Sequence, residues 1–195
     1  MTTRRFGWSF SVLLLAACDH NGAAPAAPPA DPCPTAWLDT PTVDAPIAVP
    51  PGNPRVVLHA AATGTQNYTC SPGADGGAPA WSFIGPEATL SDCKGATLGK
   101  HFATDAGAPE WQLADGTYVV AHKVAASPKT GAVPWLLLAA DGHGASGPLT
   151  TARFVQRVNT TGGVAPDAPC DASSLGAGRT VKKIPYTADY YFYAP

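Results

Sequence analysis

The stretch that decides the fold runs from Glu110 to Ala121, EWQLADGTYVVA. Asp115-Gly116 stands between two apolar segments, and an Asp-Gly pair lets the backbone reverse direction within a few residues. The stretch therefore reads as a β-hairpin. The same grammar extends in both directions. Arg55–Ala61, Thr65–Cys70, Ala80–Ile84, Leu98–Ala103, Glu110–Leu113, Thr117–Ala125, Pro134–Ala140, Thr151–Asn159, Thr180–Ile184 and Ala188–Tyr193 are short apolar or β-branched runs. Turn clusters such as Ser71-Pro72-Gly73, Asp75-Gly76-Gly77 and Thr161-Gly162-Gly163 separate them.

No window carries a helical period longer than about two turns, and 21 Pro and 20 Gly leave long helices little room. The expected fold is all-β: one antiparallel sandwich or closed barrel over residues 55–195, with little helix. Trp135-Leu-Leu-Leu-Ala139 is apolar on both faces and predicts a central strand covered on both sides. Trp135 is accordingly assigned to the core. The aromatic run Asp189-Tyr-Tyr-Phe-Tyr193 predicts a late strand that closes the sheet.

Upstream, residues 33–54 read as an irregular proline-rich arm over the domain. Residues 18–32 read as a semi-extended Ala/Pro-rich tether. Residues 1–17 carry Arg4 and Arg5, then a short apolar run ending in Ala16-Ala17. That run is about half the ~20 residues a membrane span needs, so it reads as an export signal. With Leu15 and Cys18 the segment resembles a bacterial lipobox, which makes Cys18 the expected lipid attachment point. The location implied is the cell envelope, lipid-anchored and facing the periplasm or exterior. Several acyl chains are needed for durable anchoring, since a single chain binds bilayers only marginally.

Removing residues 1–17 takes away two arginines and no acids, leaving 10 basic against 14 acidic residues, a net charge of −4. Nucleic-acid binding lacks its electrostatic basis. Cys33, Cys70, Cys93 and Cys170 remain after Cys18, an even number that suggests two disulfides in an exported chain, with three pairings open. Neither a Cys-x-x-Cys pair nor a histidine at matching spacing supports zinc, and no metal is expected.

Gly142-x-Gly144-x-x-Gly147 matches the dinucleotide fingerprint by letter. The pyrophosphate chemistry needs a helix N-terminus at that point, whereas Pro148 and a predicted strand follow. The segment is read as a glycine-rich hairpin loop, and neither NAD nor another cofactor is expected. No Gly-x-Ser-x-Gly elbow occurs. Among the histidines, His101 in its strand is the one singled out. Trp111, beside Pro109 and ahead of the turn, is the tryptophan expected to face a ligand.

Gly64-Thr-Gln-Asn-Tyr-Thr-Cys70, Pro86-Glu-Ala-Thr-Leu90, Gly99-Lys-His-Phe102, Pro134-Trp-Leu-Leu-Leu138, Gln156-Arg-Val-Asn-Thr-Thr-Gly-Gly163 with Ala165-Pro166, and Pro185-Tyr-Thr-Ala-Asp-Tyr-Tyr-Phe-Tyr193 jointly resemble one family. It is the domain of unknown function 3455 family of exported bacterial and fungal proteins. The resemblance runs from about Arg55 to Tyr193. It implies no activity and no catalytic residue. The malate dehydrogenase label on some members gains no support from the glycine pattern here. In the family pattern the cysteines matching Cys70 and Cys170 occur together, which implies Cys70–Cys170 and leaves Cys33–Cys93. Gln66 and Arg157, inside those motifs, complete the ligand-binding set with His101 and Trp111. Two functions are carried forward. One is a tethered, non-enzymatic module that binds a polysaccharide or small molecule or serves the envelope structurally. The other is a hydrolase using His101 with a nearby carboxylate.

Overall fold

The computed structural model describes residues 32–195 except 53–54, 74–75, 145, 169 and 172–180. The signal segment, Cys18 and the tether through residue 31 lie outside the described residues. The described residues form eight strands: β1 Arg55–Ser71, β2 Ala80–Ser91, β3 Thr97–Ala103, β4 Pro109–Leu113, β5 Tyr118–Lys129, β6 Ala132–Gly144, β7 Phe154–Gly162 and β8 Val181–Ala194. Each pairs antiparallel with the next, and β8 returns to β1, so the sheet closes into an up-and-down barrel. Closure removes the exposed edges that an open sheet would have to protect.

Ten expected segments have become eight strands, because two apparent breaks lie inside long strands. Gly64 sits mid-β1, where a Cβ would lie 2.1 Å from the Glu87 carbonyl oxygen and 2.5 Å from the Ala88 Cα. It permits close backbone approach and ends nothing. Pro185 lies within β8 opposite Thr65. Two other strand prolines, Pro128 and Pro134, fall where the register shifts between Ser127 and Lys129 and between Ala132 and Leu136. A missing N–H does least harm there.

The Asp115-Gly116 hairpin joins β4 to β5. Gly116 N–H donates to the Leu113 carbonyl at 3.0 Å and Leu113 N–H donates to the Thr117 carbonyl at 2.8 Å. Gly116 has φ +88°, so this is a three-residue loop ending in a left-handed glycine. The same arrangement recurs at Asp92–Ala96 and Thr104–Ala108, with Gly95 and Gly107 in the left-handed position.

Inside the barrel, Ala60, Ala62, Leu90, Trp111, Val119, Val155, Tyr190 and Phe192 form the principal core. Pro148–Thr151 is a 3-10 turn whose Leu149 is fully buried in that core, so Thr151 to Arg153 is not strand as expected. Gly142 and Gly144 lie within β6, not in a loop; only Gly147 stands in the connection to β7. Among the described residues only the one-turn 3-10 element Pro148–Thr151 follows the fingerprint, with no α-helix N-terminus on which to rest a pyrophosphate.

A second cluster lies on the outer face. Val56, Val158, Tyr191 and Tyr193 pack with Val43, Val49, Trp135 and Phe154. Here residues 33–52 cross the barrel with two short 3-10 turns, Thr35–Leu38 and Ala45–Ile47. Gln156 Nε2 donates to the Ile47 carbonyl at 2.7 Å, and the Tyr193 hydroxyl donates to Gln156 Oε1 at 2.7 Å. Asp44 accepts from the Ser127 hydroxyl and, at 3.0 Å, from Lys129 Nζ. The His59 ring is stacked between Trp37 and Tyr191, at 3.8 and 3.9 Å. Trp135 is half-buried in this outer cluster, with Lys129 Nζ 3.9 Å from its ring centroid. The expectation that it fills the core is corrected: strand alternation turns it outward, and Leu136 and Leu138 face in.

Cys33 is joined to Cys93 and Cys70 to Cys170. The first ties the arm to the β2–β3 turn. The second ties the end of β1 to the segment after β7, which also accepts hydrogen bonds from Tyr68 at Gly163 O and from Trp81 at Ala168 O.

Candidate functional site

Antiparallel register is what assembles the site. His101 on β3 is paired with Trp111 on β4, so both side chains point to the same face, inward. Their rings stack at 4.4 Å with planes 5° apart. Arg157 on β7 is paired with Leu136 on β6 and Tyr190 on β8, and Tyr190 meets both the His101 and Trp111 rings edge-on. Gln66 enters from β1. These residues surround a cavity of about 130 Å³ in the barrel, walled also by Pro86, Leu136 and Leu138. Exposed Phe83, Gly107 and Lys123 mark its rim, away from the end that Leu149 fills. An eight-stranded barrel has an interior just wide enough to be packed solid or to hold one small ligand.

All four sequence candidates, Gln66, His101, Trp111 and Arg157, thus line one cavity. Trp111, expected to face a ligand, is 1% exposed and forms an interior wall of the cavity. Lys123 and Tyr190 were not anticipated. For Tyr190 the signal was its place in the alternation Tyr186, Ala188, Tyr190, Phe192, which all face inward.

The electrostatics are one-sided. Arg157 is 9% exposed. Its Nε and Nη2 donate to the Pro134 carbonyl at 3.1 and 2.9 Å, and the Tyr190 hydroxyl stands beside the guanidinium. Among the described residues no Asp or Glu lines the cavity and no ion pair reaches Arg157. Trp111 Nε1 is a buried donor without a partner among the described residues. The Gln66 amide approaches the Tyr186 hydroxyl, but its Nε2 reaches no acceptor at hydrogen-bonding geometry. A buried polar group left unmatched costs about 1–3 kcal/mol.

His101 is held neutral. Burial, opposed by a hydrogen bond to the Glu110 carbonyl and reinforced by the Arg157 charge, pushes its pKa down from 6.5 to about 3. A carbonyl only accepts, so the 2.8 Å contact at Nδ1 places the ring proton there and leaves Nε2 as a lone-pair acceptor. Burial also raises the Tyr190 and Tyr186 hydroxyls, keeping both protonated. The site offers a cation, several N–H and O–H donors and one ring nitrogen acceptor between aromatic and aliphatic walls.

Among the described residues no group of His, Cys, Asp and Glu is placed to hold a metal ion, and no helix is long and apolar enough to cross a membrane. Two disulfides are consistent with an oxidising, extracytoplasmic setting. No curated protein and no solved structure matches the chain. A family model described as a protein of unknown function, DUF3455, matches residues 50–194, from the end of the arm to the last residue of β8. By that match, which spans the whole barrel and every residue of the cavity, the chain belongs to the DUF3455 family.

Proposed function

We propose that this protein is a lipid-anchored envelope protein whose barrel binds a small molecule in its interior and performs no chemistry on it. The observation that carries the reading is the convergence of Arg157, Gln66, His101 and Trp111 on one cavity, with donors unmatched by protein acceptors. A cavity of about 130 Å³ suits a small molecule and excludes a polysaccharide chain from the interior. The hydrolase alternative needs a carboxylate beside His101. The lining supplies none, and Nδ1 is engaged by a backbone carbonyl. Neither NAD nor nucleic acid has a part in this reading.

Anchoring rests on the Leu15–Cys18 lipobox and the spacer behind it. Cys18→Ser is expected to release the protein to the soluble fraction or to stall it as unprocessed precursor. A variant processed and membrane-bound like wild type contradicts the anchor.

Ligand occupancy is tested on protein isolated gently from the envelope. Native mass spectrometry is expected to find a small-molecule adduct on the wild type and none on Leu138→Trp, in which an indole fills the cavity. An adduct retained by a folded Leu138→Trp places the ligand elsewhere and sinks the reading.

A further inference from the structure

We infer that the ligand is a small organic carboxylate, seated with its anionic end on Arg157 and its body against the Trp111, Leu136 and Leu138 walls. The inference rests on the interior-binding reading above and adds the ligand's class.

Arg157 decides the class. A buried charge is costly unless it is paired, by several kcal/mol even after relaxation. Its partners here are neutral: the Pro134 carbonyl takes two of the five guanidinium N–H groups and the Tyr190 hydroxyl stands beside the guanidinium, which leaves the unit charge uncompensated. No described residue on the cavity wall carries the opposite sign. A carboxylate only accepts hydrogen bonds, and its two oxygens match the planar fork of a guanidinium. The same group gives an acceptor to the two buried donors left without one, Gln66 Nε2 and Trp111 Nε1.

A neutral polyol fits less well, because every hydroxyl also brings a donor that needs an acceptor, and the described wall offers few acceptors besides His101 Nε2 and Gln66 Oε1. A phosphate monoester brings close to two charges to a site with one buried cation; the second, Lys123, stands exposed at the rim. Size limits the rest of the molecule. A dry cavity of about 150 Å³ holds a benzene ring; this one is slightly smaller but open at its rim, which limits the body to at most about one ring, part of it standing in the mouth.

The test is calorimetric titration of the purified protein with three probes of matched body: benzoate, benzyl alcohol and phenyl phosphate. Benzoate is expected to bind at least about tenfold more tightly than benzyl alcohol, the scale of a charge-assisted hydrogen bond. Arg157→Met is expected to erase that preference, weakening benzoate at least about tenfold more than it weakens benzyl alcohol. If Arg157→Met does not fold, as judged by near-ultraviolet circular dichroism, the wild-type ratio of benzoate to benzyl alcohol decides. Equal binding of the two by wild type overturns the carboxylate assignment and leaves the interior-binding reading standing. Tighter binding of phenyl phosphate than of benzoate overturns it in favour of a phosphate. Saturable binding by none of the three overturns both.

Discussion

Replacing Cys70 and Cys170 together by alanine is expected to lower the stability of the domain by about 3–5 kcal/mol, the largest loss expected from removing any one cross-link. The bond closes a loop of 100 residues, and in the chain-entropy account such a loop removes about 4.7 kcal/mol of freedom from the unfolded chain. The position adds to the argument. Cys70 lies at the end of β1, and Cys170 follows β7, so the bond fastens the connection to the strand that closes the barrel. Val181–Ala194 carries Tyr186, Tyr190 and Phe192 into the core and pairs with β1 and β7. Loosening its approach therefore weakens both seams of closure at once. Urea denaturation of oxidised wild type and the double variant measures the difference. A loss below about 1 kcal/mol, with the midpoint nearly unmoved, would show that the unfolded chain is already restricted and that the bond contributes little.

The second large effect is acid sensitivity centred on His101. Its folded pKa, about 3, lies below its ordinary 6.5 because burial and the Arg157 charge disfavour the imidazolium. Between those values the unfolded chain takes up the proton and the folded one does not. The stabilisation is therefore complete above 6.5 and is lost as the pH falls toward 3, at about 1.4 kcal/mol per unit. By about pH 4.5 the expected cost is on the order of 3 kcal/mol. Asp44, Glu87, Asp115 and Asp189 all have lowered pKa values and add their own losses at still lower pH. The separation is made by comparison with His101→Gln, whose stability is expected to vary much less between pH 7 and about 4.5. Parallel pH slopes for variant and wild type would place the proton uptake elsewhere.

Much of the barrel was legible because turn chemistry is local. The Asp115-Gly116 pair lies at a hairpin loop as its residues required, and the two loops of the same geometry ending in Gly95 and Gly107 carry the same glycine at the same offset. Gly64 and Pro185 misled for a long-range reason. Whether a glycine ends a strand or lets a neighbouring strand approach depends on what lies across from it, here Glu87 and Ala88.

The site was legible as residues and not as a place. His101, Trp111, Gln66 and Arg157 come from four strands, and only register brings them together. Part of that register was readable: counting outward from the Thr104–Ala108 turn pairs His101 with Trp111. The outward position of Trp135 has a different origin. Trp135 looked central because the apolar run around it has no polar face. That run is covered inside by the barrel core and outside by the arm, and sequence alone did not say which side the tryptophan takes. Arg157 carried a readable signal, a guanidinium in the run Phe154-Val-Gln-Arg-Val158, all of it shielded from solvent to some degree.

The claim that the barrel interior is the binding site is tested most directly at one atom. The indole N–H groups of Trp37 and Trp81 donate to the His59 and Ala168 carbonyls, whereas that of Trp111 is buried without a partner among the described residues. In a ¹H–¹⁵N spectrum each indole gives its own signal, and Trp111→Phe identifies the one that matters. On titration with benzoate the Trp111 indole signal is expected to move saturably while those of Trp37 and Trp81 stay in place. A Trp111 signal that stays fixed while benzoate binds would put the ligand outside the barrel and contradict the account.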